Sequence, residues 1–194
     1  MFNKENKEII RENKIYVFID ASNIWNIVKS KRKFIEYSRL ESYLKEEFNA
    51  KEIKIFYYDA HPKEGTRNYD LNGKHRFYTY LKKGLGFVVR KKELKRISII
   101  TKDGESTLEK GNMDVEMTID ALHYIDKYNI VVFFTGDSDF LALVSYLRNR
   151  GKKVYIFSSQ NSVSEELKTG GDGYFDVKSI NEIWDKDLKH REDR

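Results

Sequence analysis

Two acids one residue apart, Asp137 and Asp139, stand just past an apolar run, IVVFFT at 130–135, that ends in Gly136. A third, Asp20, closes another apolar run, IYVFID at 15–20. A fourth, Asp114, opens a helical pattern over 113–127. If these carboxylates converge, they cannot all stay ionised without a cation among them. A donor set of oxygens, with no His or Cys, suits Mg²⁺ or Mn²⁺. Such ions activate water and neutralise phosphate charge during phosphodiester hydrolysis.

Each acid also has a plainer role. Asp20 precedes Ala21-Ser22-Asn23, so it can cap the next helix, and Asp137 or Asp139 can do the same. One cap needs one acid, so the pair at 137 and 139 asks for more. Asn23 lies one turn into its helix, facing the same cleft as Asp20. Asp114 favours the dipole at a helix start. At about 100° per residue it shares a side with Thr118, Ala121, Leu122 and Ile125, which predicts an inward carboxylate. No Arg or Lys sits one turn away to pair with it, and an unpaired inward acid is costly. Asp120 falls with Glu116, His123 and Lys127 on the side predicted to be solvated, and ranks below Asp114.

The elements that must position these acids alternate. Short runs rich in β-branched and aromatic residues at 15–20, 52–58, 86–91, 130–135 and 153–158 read as buried strands. Helical patterns cover 23–33, 38–48, 74–83, 113–127, 138–149 and 162–168. Residues 94–109 suggest a hairpin turning at Asp103-Gly104. Such alternation implies an α/β fold with a mostly parallel sheet and helices on both faces. Ligands of open α/β sheets bind outside the carboxyl ends of the strands, where Asp20 and Asp137 are delivered.

The chain has 194 residues, which suits one domain over 14–184 between a charged segment at 1–13 and a charged tail at 185–194. It has no cysteine, which excludes disulfides, zinc-thiolate sites and thiol catalysis. No apolar run is long enough to span a membrane, and the first residues carry no signal-peptide core. A cytoplasmic protein is expected. The net charge is +5 and the pI about 9.1. Basic clusters at Lys29–Lys33 and at Arg90–Lys92, continuing to Lys95 and Arg96, would attract polyanions without reading sequence.

Weaker candidates surround these. Ser158, Ser159 and Asn161 end a strand and could touch phosphate, although capping the helix over 162–168 is the commoner use. Lys110 could reach the cleft, although a Lys before a helix is usually solvated. Tyr57 and Tyr58 alternate on a strand, so at least one belongs to the core. Tyr78 and Tyr80 sit on different sides of their helix and cannot form one base-stacking platform. His61 and His75 are expected at the surface. Nucleotide-binding glycine motifs are absent.

The stretches IYVFIDASN at 15–23, KGNMDVEMTIDAL at 110–122 and VVFFTGDSDFLALVSYLRNRGKKVYIFSS at 131–159 resemble the NYN (LabA-like) domains of the PIN-like ribonuclease superfamily. NSVSEELKTGGDGYFDVKSI at 161–180 is similar to that family's closing segment, with an unusually flexible Gly170-Gly171-Asp172-Gly173. The resemblance covers roughly 14–180. It implies a PIN-like, Rossmannoid three-layer α/β/α sandwich and metal-dependent cleavage of RNA. Carried over by position, Asp20, Asp114, Asp137 and Asp139 would hold Mg²⁺ or Mn²⁺. Asn23 would orient a carboxylate, a water or a phosphate oxygen.

Three function classes are thereby separated. A metal-dependent ribonuclease uses all four acids. An RNA-binding or partner-recruiting module keeps the fold with little turnover, and charge-neutralising replacements at the acids would have favoured it. A phosphatase of the haloacid dehalogenase type needs Asp-x-Asp after the first strand, where this chain has Ser22. The sequence is compatible with a homo-oligomer and offers no membrane partner.

Overall fold

The computed structural model describes residues 12–66, 71–101 and 104–188. The first eleven residues, the Asp103 part of the hairpin turn and residues 189–194 lie outside them.

In chain order the strands are β1 (Asn13–Asp20), β2 (Lys33–Ile35), β3 (Ala50–His61), β4 (Val88–Glu93), β5 (Lys95–Thr101), β6 (Gly104–Lys110), β7 (Ile130–Phe134), β8 (Lys153–Ser158), β9 (Gly173–Asp176) and β10 (Trp184–Asp187). The helices are α1 (Ala21–Lys31), α2 (Tyr37–Glu47), α3 (Asn72–Thr79), α4 (Asp114–His123), α5 (Leu141–Asn149) and α6 (Glu165–Gly170). A π-type turn, Tyr80–Gly84, prolongs α3, and a 3₁₀ turn, Ser138–Phe140, precedes α5.

Six strands form the central sheet in the order β4-β3-β1-β7-β8-β9, and every neighbouring pair is parallel. Parallel strands need covering on both faces, and strand alternation supplies two apolar surfaces. Ile15, Val17 and Ile19 face α1, α2 and the α3 segment, with Tyr37, Leu40, Tyr57 and Leu81. Tyr16 and Phe18 face the other way, with Met117 of α4, Leu147 of α5 and Leu167 of α6. Phe18 stacks on Phe56 at 5.0 Å and on Phe133 at 5.4 Å, so rings from three adjacent strands lock the centre. Each such pair contributes about 0.5–1.5 kcal/mol beyond its buried area. The result is the three-layer α/β/α arrangement expected from the sequence, and the central sheet is wholly parallel.

The chain order also fixes where a ligand would sit. From β1 the chain moves outward to β3 and β4, then returns to place β7 on the other side of β1. The order therefore reverses between β1 and β7, the place at the carboxyl edge where open parallel sheets take their ligands. Three short strands have no strong sequence signal: β2 and β10 pair with each other, and β9 extends the main sheet. The β5–β6 hairpin forms in the expected place as a separate two-stranded ribbon.

Candidate metal-dependent catalytic site

Asp20 is the last residue of β1, and its backbone is still extended where α1 begins at Ala21. Its Oδ1 accepts 2.8 Å hydrogen bonds from the Ser22 amide and the Ser22 hydroxyl, so it does cap α1. Burial nevertheless pushes its carboxyl up, against the hydrogen bonds from Ser22, and the field of Asp59 adds to the rise. Asn23, 9% exposed, lies one residue further. Its Oδ1 accepts a 3.3 Å hydrogen bond from the hydroxyl of Ser158, which is fully buried at the end of β8. Asn23 thus stands between Asp20 and the next strand end.

On the other side of the switch point, Asp137 caps the turn after β7, accepting 3.0 Å from the Asp139 amide on Oδ1. Its own amide donates to Thr135 Oγ1 at 3.2 Å. Capping occupies one oxygen of Asp137, and both Asp137 and Asp139 are exposed to solvent. Gly136 has no room for a side chain: a Cβ there would lie 1.8 Å from the Ser162 carbonyl oxygen. The loop after β8 closes on it, with the Ser164 amide donating to Gly136 O at 3.1 Å.

Asp114 begins α4 and is half-buried. Its carboxyl rises to about 6, first because burial penalises the charge and then because Asp137, Asp20 and Asp139 repel it. Four acids from three separate elements therefore share one electrostatic field. Among the described residues no three of them stand close enough to enclose an ion as they are. The mutual repulsion is what a divalent cation would relieve, and the donors are oxygens of the kind Mg²⁺ and Mn²⁺ take.

Several residues differ from their sequence expectations. Asp120 is 7% exposed and not solvated. It accepts hydrogen bonds from Tyr58 Oη at 2.8 Å and from Arg90 Nε at 3.0 Å. The buried stripe of α4 is Met117, Asp120 and Ala121, while Leu122 is exposed. A polar residue joined the inner face because a partner on β4 could meet it, which helical spacing alone does not show. Asp114 is also less isolated than its own helix suggests, because Lys92 on β4 lowers its carboxyl somewhat. His61 is buried, with Nδ1 3.0 Å from the Pro62 carbonyl. Tyr57 and Tyr58 are both core, on opposite faces. The cap of α6 is Ser164, accepting from the Leu167 amide, whereas Ser159 pairs with Ser162. Gly170–Gly173 is pinned by Asp172, which accepts from the Val154 amide and pairs with Lys153 and Arg148. Lys110 is exposed.

Sequence reasoning passed over Asp59. It is 8% exposed near the end of β3, accepts from Tyr78 Oη at 2.8 Å and pairs with Lys74 Nζ at 2.9 Å. The strand runs three residues past the apolar run read at 52–58, and Asp59 is the first of them.

Fold and site define a parallel α/β sandwich whose sheet edge gathers acids at the switch point. The NYN domain profile matches residues 14–178, so the chain belongs to the NYN domain family, whose members are generally nucleases. It is 23% identical to the low amplitude and bright protein LabA of Synechococcus elongatus, over 91% of this chain and 90% of that one. An uncharacterised protein of Methanocaldococcus jannaschii is 31% identical over 77 residues, 39% of this chain and 32% of that one. A crystal structure of a protein of unknown function from Vibrio parahaemolyticus superposes with a TM-score of 0.65 at 24% identity, covering 89% of this chain and 96% of the other. It has the same fold.

Proposed function

We propose that this protein is a metal-dependent ribonuclease that hydrolyses RNA phosphodiester bonds at the β1–β7 edge. The observation that carries this reading is Asp114, driven up to about 6 by burial and by Asp137, Asp20 and Asp139 together. Groups perturbed by burial and like charge at a switch point are functional-site candidates. Asp20, Asp114, Asp137 and Asp139 would hold Mg²⁺ or Mn²⁺. The ion would supply an activated water and offset phosphate charge. Asn23, fixed by Ser158, orients a carboxylate or a phosphate oxygen. The substrate is RNA, single-stranded or structured. No helix among the described residues is long and apolar enough to cross a membrane, and a chain without cysteine suits the reducing cytoplasm.

The test is cleavage of labelled single-stranded and hairpin RNAs beside a matched DNA, with Mn²⁺, Mg²⁺ or chelator. Asp137→Asn should abolish cleavage and leave the fold intact, since Asn can still accept the Asp139 amide. Cleavage that survives in the variant, or in chelator, would refute the assignment. No cleavage by wild type, with RNA still bound, would favour the second reading, a binding module that keeps its acids apart.

A further inference from the structure

Most of the cations expected to attract polyanions are engaged inside the fold. Alternation along β4 sends Arg90 and Lys92 towards α4, where Arg90 meets Asp120 at 3.0 Å and Lys92 meets Glu116 at 2.8 Å. Lys91 points to the opposite face, its Nζ 5.4 Å from the centre of the Tyr78 ring. It is exposed, and no acid lies within ion-pair reach of it among the described residues. Its register partner on β3 is Asp59, which holds Lys74 from α3 with its Nζ 6.0 Å from the centre of the same ring. Asp59 in turn lies one residue past Tyr58, the register partner of Asp20, and its field reaches Asp20. The carboxyl edge is thus bipolar, with acids on β1 and β7 and outward lysines on α3 and β4. The β8 side offers Ser158, Ser159, Gln160 and Asn161 instead. The Lys29–Lys33 cluster is elsewhere: α1 starts at the carboxyl edge and runs back about 16 Å over its 11 residues.

We propose that Lys74 and Lys91, both held against the Tyr78 ring, form a phosphate subsite, so that the RNA flanking the scissile bond runs over β3–β4. This rests on the ribonuclease reading for its substrate, but it concerns binding, which is measured without turnover. Asp59 parks Lys74 at the cleft, and a backbone phosphate shares it. Tyr78 is buried, so the subsite reads the backbone and leaves the bases unread.

The experiment is titration of a fluorescein-labelled single-stranded RNA in chelator, at several salt concentrations, with the full chain. Lys74→Gln and Lys91→Gln should each weaken binding several-fold and flatten the plot of log K against log salt by about 0.7. Lys74→Arg should restore both, and Lys29→Gln should change neither. A merely structural role for Lys74 would not move the salt slope. If Lys74→Gln fails to fold by circular dichroism, Lys91→Gln decides the matter. Wild-type affinity and slope in folded Lys91→Gln would overturn the proposal, as would an equal loss in Lys29→Gln or no binding of RNA by wild type. Metal-supplied wild type that binds through Lys74 and Lys91 but never cuts would sink the ribonuclease reading and leave the subsite standing.

Discussion

Asp114 shows how one residue can be both strained and useful. Its carboxyl is raised from 3.8 to about 6, so the fold favours the protonated form. The stability this contributes is fully present below about pH 4 and is lost as pH rises through about 6. At neutral pH the ionised group is a constant penalty, absent from an amide of the same shape. Asp114→Asn in chelator should therefore outlast wild type in urea at about pH 7.5, with the gap closing towards about pH 4. A gap that ignores pH would show that the acids do not repel one another. At this scale the sequence was partly legible. Asp20 and Asp137 end apolar runs, and a strand end is a place the eye can find. Asp59 and Asp120 were not: the first falls just past the run read as a strand, and the second on the helix side that spacing predicts to be solvated. What makes them matter is a partner on another element: Lys74 and Tyr78 for the first, Arg90 and Tyr58 for the second.

The element that sets the site is α4, and its seat is polar. Met117 and Ala121 are fully buried against the sheet, but between them Asp120 ties the helix to β3 through Tyr58 and to β4 through Arg90. Lys92 to Glu116 adds a second tie one turn nearer Asp114. Asp120→Ala removes the acceptor of a hydroxyl on the fully buried Tyr58 and strands a guanidinium that is half in water. The loss should be about 2 kcal/mol, within the range for hydrogen bonds to charged groups and less than for a fully buried pair. Urea denaturation reads it, and a change under about 0.5 kcal/mol would mean that α4 is held by its apolar stripe alone. Cleavage should fall as well, since Asp114 starts the same helix. The apolar runs of β1, β7 and β8, and the buried stretch 55–58 of β3, were visible in sequence because burial on both faces leaves little polar interruption. The short β2, β9 and β10 were not. β9, GYFD, is half-buried throughout and gains its place only by pairing with a β8 already formed.

At the scale of the whole molecule, alternation of strands and helices sufficed to predict a parallel sandwich. Strand order, which puts the reversal between β1 and β7, came only with the structure. That reversal brings acids 20 and 137 to one edge of the sheet although 116 residues separate them, so the proposed metal binding would be a property of the folded chain alone. The unfolded chain scatters the four carboxylates and binds a divalent ion weakly. A ligand of the native state stabilises by RT ln(1 + [L]/Kd), about 2.7 kcal/mol at a hundred times Kd. Mn²⁺ should therefore raise the melting temperature of wild type, by several degrees for a domain of this size. The gain should shrink in Asp137→Asn and in Asp114→Asn, each of which removes a proposed ligand. The same two variants should melt higher than wild type in chelator, because each also removes a repelling charge. The two effects have opposite signs, and only a shared cation site gives both at once. A general effect of divalent ions on a basic protein would shift all three proteins alike, and that result would dissolve the site.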